Sequence, residues 1–143
     1  MAEDSNQLRV RLVTPERTLF EHEASAVDLP AKNGYMEVLY GHAPLMAELG
    51  AGDVTLHGGP DGPESVSRYN VSWGFVEVLP DRVTILASDA LKPEEIDIPR
   101  AEAQLALGHK EWDEAGESEE AYTEALHRIA EAEAKLATAA EKH

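Results

Sequence analysis

The sequence predicts a mixed fold, β first and α second: an antiparallel β-sandwich or barrel followed by an antiparallel two-helix hairpin. Three observations carry this reading. Up to about residue 90, apolar and polar residues alternate in short runs, and turn residues interrupt them at intervals of about eight to twelve positions. Beyond residue 94 the chain is rich in Ala and Glu, and its apolar residues recur at helical spacing. Between the two, the stretch Leu91 to Ala101 holds two prolines, a helix-capping acid and an isolated arginine. The expected domains are residues 1–91 and 92–143.

The strands follow in order. Leu8, Val10 and Leu12 alternate with Arg9 and Arg11, as in a strand with one buried face. Thr14-Pro15-Glu16 breaks it, and Thr18 to Phe20 resumes. Ala24 to Leu29 is closed by Pro30, and Asn33-Gly34 supplies the positive φ angles of a tight turn. Tyr35 to Leu39, Leu45 to Leu49 and Val54 to His57 are further strands. Gly58-Gly59-Pro60-Asp61-Gly62-Pro63 reads as an exposed loop, from which Ser65 to Val71 returns antiparallel. Trp73 to Leu79, Pro80-Asp81 and Arg82 to Ala87 form the clearest hairpin. Leu8, Val10, Leu12, Phe75, Val83 and Ile85 are the expected inward residues.

The helices have their own signals. Asp97 is a plausible N-cap, and Pro99 suits a first turn, where amides lack helical partners. Ala101, Leu105, Gly108 and Trp112 mark one narrow apolar face. Gly116 ends that helix, Ser118 caps a second, and Glu119 and Glu120 complement its positive end. Tyr122, Leu126, Ile129, Ala132, Leu136 and Ala140 form the second stripe. Both stripes are thin and alanine-rich, so little apolar burial opposes chain entropy, and the hairpin is expected to lean on the β-domain or on a partner.

Composition excludes several functions. The chain has 28 Asp and Glu against 12 Lys and Arg, a formal charge of -16. That balance opposes binding to nucleic acid or to anionic lipid. With no cysteine, disulfides, zinc thiolates and thiol catalysis are ruled out. No apolar run has the length of a membrane span, and Met1 to Gln7 is too polar for a signal peptide, so a cytoplasmic protein is expected.

Chemistry is hard to find. There is no Ser-His-Asp order, Gly-rich phosphate loop or His-x-x-x-His pair. His22, His42, His57, His109, His127 and His143 are scattered, and metal sites need convergence. Glu77 and Asp89 stand out from no other carboxylates as an acid–base pair. Two stretches do stand out. In Gly41-His42-Ala43-Pro44-Leu45, Gly and Pro fix an unusual backbone around a lone His, which suits either a strand-orienting turn or a partner contact. In Ile96-Asp97-Ile98-Pro99-Arg100-Ala101, Arg100 lies one turn into a helix. It suits either a local contact with Asp97 or an anion contact.

At Gly41-His42-Ala43-Pro44-Leu45 the sequence resembles the epsilon subunits of bacterial F-type ATP synthases. Leu8-Arg9-Val10-Arg11-Leu12-Val13-Thr14-Pro15, the run from Gly34 to Leu45, Gly74-Phe75-Val76-Glu77-Val78 and Val83-Thr84-Ile85-Leu86-Ala87 extend the likeness in order and spacing, over about Leu8 to Leu136. The resemblance implies a sandwich of about ten strands with a C-terminal helical hairpin. It implies a non-catalytic subunit of the central stalk, bound to gamma and seated on the c ring, on the cytoplasmic face of the bacterial inner membrane. Such a subunit couples proton flow to ATP synthesis. Its hairpin can extend toward the alpha and beta subunits and restrain ATP hydrolysis. His42 is then expected at a subunit-contact surface with Tyr35, Glu37, Tyr40, Gly41, Ala43, Pro44 and Leu45. Some members bind ATP through an Ile/Leu-Asp-x-x-Arg-Ala motif, present here as Ile96, Asp97, Arg100 and Ala101.

Several positions depart from the family pattern. Glu37 stands where Gly is usual, Tyr40 where Pro is usual, and Trp73 replaces one Gly of a common pair. The further arginines of ATP-binding members align with Leu107, Glu131 and Lys135. From Glu94 to Glu141 there are 14 acidic residues, and from Lys92 to Lys142 six basic ones. This balance predicts Mg-ATP as a weak ligand, with no firm cofactor, and weak inhibition by the hairpin. The competing reading is an ATP-sensing inhibitory regulator that acts mainly through the hairpin.

Overall fold

The computed structural model describes residues 7–140. The polar amino terminus, Lys142 and His143 lie outside them. Seven strands, β1 (Leu8–Val13), β2 (Thr18–Ala24), β3 (Ala26–Ala31), β4 (Gly34–Leu39), β5 (Leu45–His57), β6 (Val66–Leu79) and β7 (Arg82–Leu91), precede two helices, α1 (Ile98–Glu114) and α2 (Glu119–Ala140). A single 3-10 turn at Pro93–Glu95 joins the two parts.

The strands form one ladder in the order β2-β1-β7-β6-β5-β3-β4. All neighbours are antiparallel except β1 and β7, which run parallel from Arg9 opposite Arg82 to Val13 opposite Leu86. Residues from every strand meet in one apolar cluster, so the ladder is folded over on itself. In β1 the alternation is as read: Leu8, Val10 and Leu12 have no exposed surface, and Arg9 and Arg11 face solvent.

The strands number fewer than about ten for a physical reason. Leu45 to Leu49 and Val54 to His57 are one strand, as are Ser65 to Val71 and Trp73 to Leu79, because β5 and β6 keep one register from Leu45 opposite Val78 to His57 opposite Val66, with a break in pairing at Gly50 and Trp73 alone. Their apparent interruption is a crease. Gly50, Trp73 and Ser88 lie at one level across β5, β6 and β7, bracketed by the pairs Leu49–Gly74, Ala51–Ser72, Gly74–Ala87 and Ser72–Asp89. At this level the inward phase changes. On β6, Tyr69 and Val71 face the core before the crease, and Val76 and Val78 face it afterwards. Phe75 is therefore turned outward and is 52% exposed, which corrects the expectation that it fills the core.

The helices begin where their caps place them. Asp97 accepts a hydrogen bond from the Arg100 amide at 3.1 Å, and Ser118 accepts one from the Ala121 amide at 3.2 Å. Gly116 takes a φ of 61° between the helices. The contact between α1 and α2 is made by small residues. A Cβ on Gly108 would lie 2.7 Å from Cγ1 of Ile129, and Ala101, Ala125, Ala132 and Ala139 are buried. The second stripe therefore runs through Ala125, not Leu126, which is exposed. Trp112 stays partly exposed and meets the edge of Tyr122, with ring centroids 4.7 Å apart.

The hairpin lies against the β-domain. The face of α2 that touches the sheet mixes small apolar residues, Ala130, Ala134 and Ala137, with polar and aromatic contacts. Thr138 accepts a hydrogen bond from Asn70 Nδ2 at 3.1 Å and donates to the Asp53 carboxylate. Lys135 Nζ lies 3.6 Å from Asp89, and His127 stacks on Trp73. Asn70 is buried, although it is out of phase with the inward Tyr69 and Val71, because α2 covers it.

Candidate functional site

The first candidate surface is the turn between β4 and β5. Gly41 takes a φ of 91°, and nothing stands where its Cβ would be, so its requirement is conformational and not one of space. The Gly41 amide donates to Pro80 O at 2.7 Å, and the His42 amide donates to Leu39 O at 3.1 Å. The first bond ties this turn to the β6–β7 turn. His42 Nδ1 lies 2.7 Å from its neighbour's carbonyl, Ala43 O, so Nδ1 carries the proton and donates. With the ring fixed in this way, the backbone presents Leu39, Tyr40, Leu45 and Met46 to solvent, Met46 being 66% exposed. Ala43 and Pro44 complete an exposed apolar knob.

Two expected members stand apart from it. Glu37 is exposed in the middle of β4, with Asp28 of β3 directly opposite. Like charges so placed repel, and His57 Nε2 sits 2.9 Å from the Asp28 carboxylate, within hydrogen-bonding distance. Tyr35 lies at the far end of β4, where its hydroxyl accepts a bond from the Asp53 amide at 2.9 Å and borders α2 beside Ala134. Tyr35 thus belongs to the hairpin side, away from His42. Residues that the pattern did not mark lie on the outer sheet face: Phe75 and Leu86 are direct cross-strand partners, both about half exposed, beside Val13 and Pro15. Their signal was the phase of Val76, Glu77 and Val78, which puts Phe75 outside.

The second candidate is the joint. Ile96 and Ala101 are buried, and Asp97 and Arg100 are exposed. Asp97 engages the Arg100 amide, as a cap does, so the local contact runs through backbone and leaves the guanidinium open to the cleft. That cleft, about 660 Å³, lies between the joint and both helices, and Leu107, Glu131 and Lys135 line it together with Asp97, Arg100 and Ala101. Three of the four motif residues and the three aligned positions therefore converge in space, and Ile96 is buried outside the cleft. Their charges do not suit a polyphosphate. Arg128, also on the wall, is held by Glu111 at 2.7 Å, and Lys135 is 14% exposed between Asp89 and Glu131. Four acids, Asp89, Glu95, Asp97 and Glu131, face three bases, Arg100, Arg128 and Lys135.

The strongest polar tie at the joint was not legible in the sequence, because its partners are 78 residues apart. Arg17 grips the Glu95 carboxylate with two nitrogens, at 2.8 and 3.1 Å, and also reaches Ala90 O. The Lys92 amide adds a bond at 2.8 Å. The Arg17 guanidinium first, and the Lys92 amide second, hold the Glu95 carboxyl down at about 2.

A family model described as ATP synthase, delta/epsilon chain, beta-sandwich domain matches residues 7–93. The chain belongs to the ATP synthase delta/epsilon chain family. The ATP synthase epsilon chain of Solibacter usitatus is 41% identical to it over 135 residues, covering 94% of this chain and 97% of that one. That of Koribacter versatilis is 45% identical over 93 residues, 64% of this chain and 61% of the relative. Among solved structures, a chain in the mitochondrial ATP synthase OSCP/F1/c-ring assembly of Euglena gracilis superposes with a TM-score of 0.76 at 21% identity, over 92% of this chain and 81% of that one. A chain in the central stalk and c-ring of the Tetrahymena thermophila mitochondrial enzyme gives 0.63 at 13% identity, over 92% and 96%. These two likenesses concern the fold, and they span the hairpin as well as the sandwich of this family member. Among the described residues no cluster of three metal-ligating side chains forms, and neither helix is long and apolar enough to cross a membrane.

Proposed function

We propose that this epsilon-family chain is a non-catalytic rotor subunit of the ATP synthase central stalk, which joins gamma to the c ring and couples proton translocation to ATP synthesis. The observation that carries the reading is the apolar knob from Leu39 to Met46, held in one conformation by Gly41 and the Pro80 carbonyl. An exposed apolar surface on a defined backbone suits a permanent protein contact. It lies beyond the C-terminal end of β6, whereas the hairpin contacts the middle of that strand at Asn70 and Trp73. Trp73 under α2 and Pro80 beside the knob are seven residues apart, or about 20 Å of strand. Coupling can therefore proceed at the knob while the hairpin stays docked on the middle of the strand. Residues 1–91 are the coupling domain in this reading, and residues 92–143 are a regulatory arm. The complex is a peripheral assembly at the cytoplasmic face of the inner membrane.

Co-purification tests the partners. The chain should be recovered with gamma and the c ring, and a chain that never associates with gamma would refute the proposal. His42→Ala should weaken assembly more than it weakens the fold, as read by subunit recovery against thermal unfolding. Equal losses of both would make the turn a purely structural device.

A second reading, ATP sensing, rests on Asp97, Arg100 and Ala101 lining the cleft between the helices, with Ile96 buried behind them. Charge argues against strong binding. A polyphosphate at Arg100 would face Glu131 where a third cation is needed, and two of the three bases are already paired with carboxylates. Titration of the full chain with Mg-ATP should therefore show no saturable binding at millimolar concentrations. Saturable binding there would favour the sensing role.

A further inference from the structure

Trp73 has an unusual backbone. Its φ is 59°, and it alone among the described non-glycine residues has a positive φ. Bulky side chains avoid this region because Cβ crowds the carbonyl oxygen, whereas glycine or asparagine occupies it far more readily. Nothing in the sandwich requires an indole at this position. Pairing to β5 and β7 is interrupted at residue 73, and the core is filled from Tyr69 and Val71 on one side of it and Val76 and Val78 on the other. Its ring contact is with α2: the indole stacks on the imidazole of His127 with centroids 4.3 Å apart and planes 18° from parallel.

We infer that Trp73 is the docking platform of the hairpin, a residue kept in a strained backbone because its side chain seats α2 through His127. The neighbouring contacts agree with this role. The docking face of α2 offers Lys135 and Thr138 to Asp89, Asn70 and Asp53, and beside them the small side chains of Ala130, Ala134 and Ala137 face Tyr35, Ala51 and Gly52. The stack supplies flat aromatic area to a contact otherwise made by polar groups and alanines, and such pairs prefer close offset geometry. Because one residue carries both the backbone cost and the docking contact, the sandwich and the hairpin respond to it in opposite ways.

Hydrogen exchange on the full chain separates the two effects. Trp73→Gly relieves the strained φ and removes the stack. Amides of α2 should then exchange roughly threefold to tenfold faster, the range expected for loss of one aromatic pair, while core amides of β5 to β7 exchange no faster than before. His127→Ala should speed α2 exchange by a similar factor with no change in the backbone at residue 73, and His127→Phe should restore protection. Trp73→Asn, which tolerates positive φ, repeats the first test if the glycine variant folds poorly. The inference is overturned if α2 protection is unchanged in either Trp73→Gly or His127→Ala. It is also overturned if Trp73→Gly exposes the core of β5 to β7, because the indole would then serve the sandwich itself.

Discussion

Arg17 and Glu95 show how one contact can fix the relation between two parts of a chain. Arg17 leaves the turn after β1, Glu95 ends the 3-10 turn at the joint, and their bidentate bond pins the start of the hairpin to the sandwich. Glu95 titrates at about 2 in the folded chain against an ordinary 4.5. Its folded value is depressed, so its contribution is whole above about pH 4.5 and is lost as the pH falls through about 2. Glu95→Gln should lower the unfolding temperature at neutral pH, and the gap to the parent chain should close as acid is added. A gap that persisted to pH 2 would show that the carboxylate charge is not its source. At this scale the sequence was informative where partners are near neighbours. Asp97 and Ser118 were legible as caps because a cap bonds an amide three residues on. Arg17 with Glu95, and Asn70 with Thr138, were not legible, because nothing local marks a partner so distant in the chain.

The strands and helices show a second kind of limit. The inward set of β1 was legible because one alternation runs through the whole strand. On β5, β6 and β7 the alternation changes phase at the crease, and a single strand's pattern cannot show that its neighbours change at the same level. Phe75 was misplaced for this reason. Gly74, beside the crease, has a φ of 123°, and a Cβ there would collide with the Leu86 carbonyl oxygen. Gly74→Ala should therefore destabilise the sandwich by roughly 2–4 kcal/mol, from backbone strain and overpacking together. Chemical denaturation measures this directly, and a loss below about 0.5 kcal/mol would mean that the crease is free to relax. On α2, His127, Lys135 and Thr138 lie off the expected apolar stripe, yet they belong to the face that docks.

For the molecule as a whole, the surfaces proposed for coupling and regulation lie at different levels of β6. The knob from Leu39 to Met46 sits beside Pro80, and the hairpin lies over Asn70 and Trp73. The class of the fold and the two-part organisation were legible because a change from alternation to helical period is a property of long stretches. The separation of Tyr35 from His42 was not, since five residues of β4 look close in sequence and place the two at opposite ends of a strand. The proposed division of roles gives coupling to the sandwich and regulation alone to the hairpin. Its most direct test is proton-driven ATP synthesis by a reconstituted synthase whose copy of this chain lacks residues 92–143. Synthesis should be largely retained, with the sandwich still bound to gamma. Loss of coupling while that sandwich remains folded and bound would contradict the account.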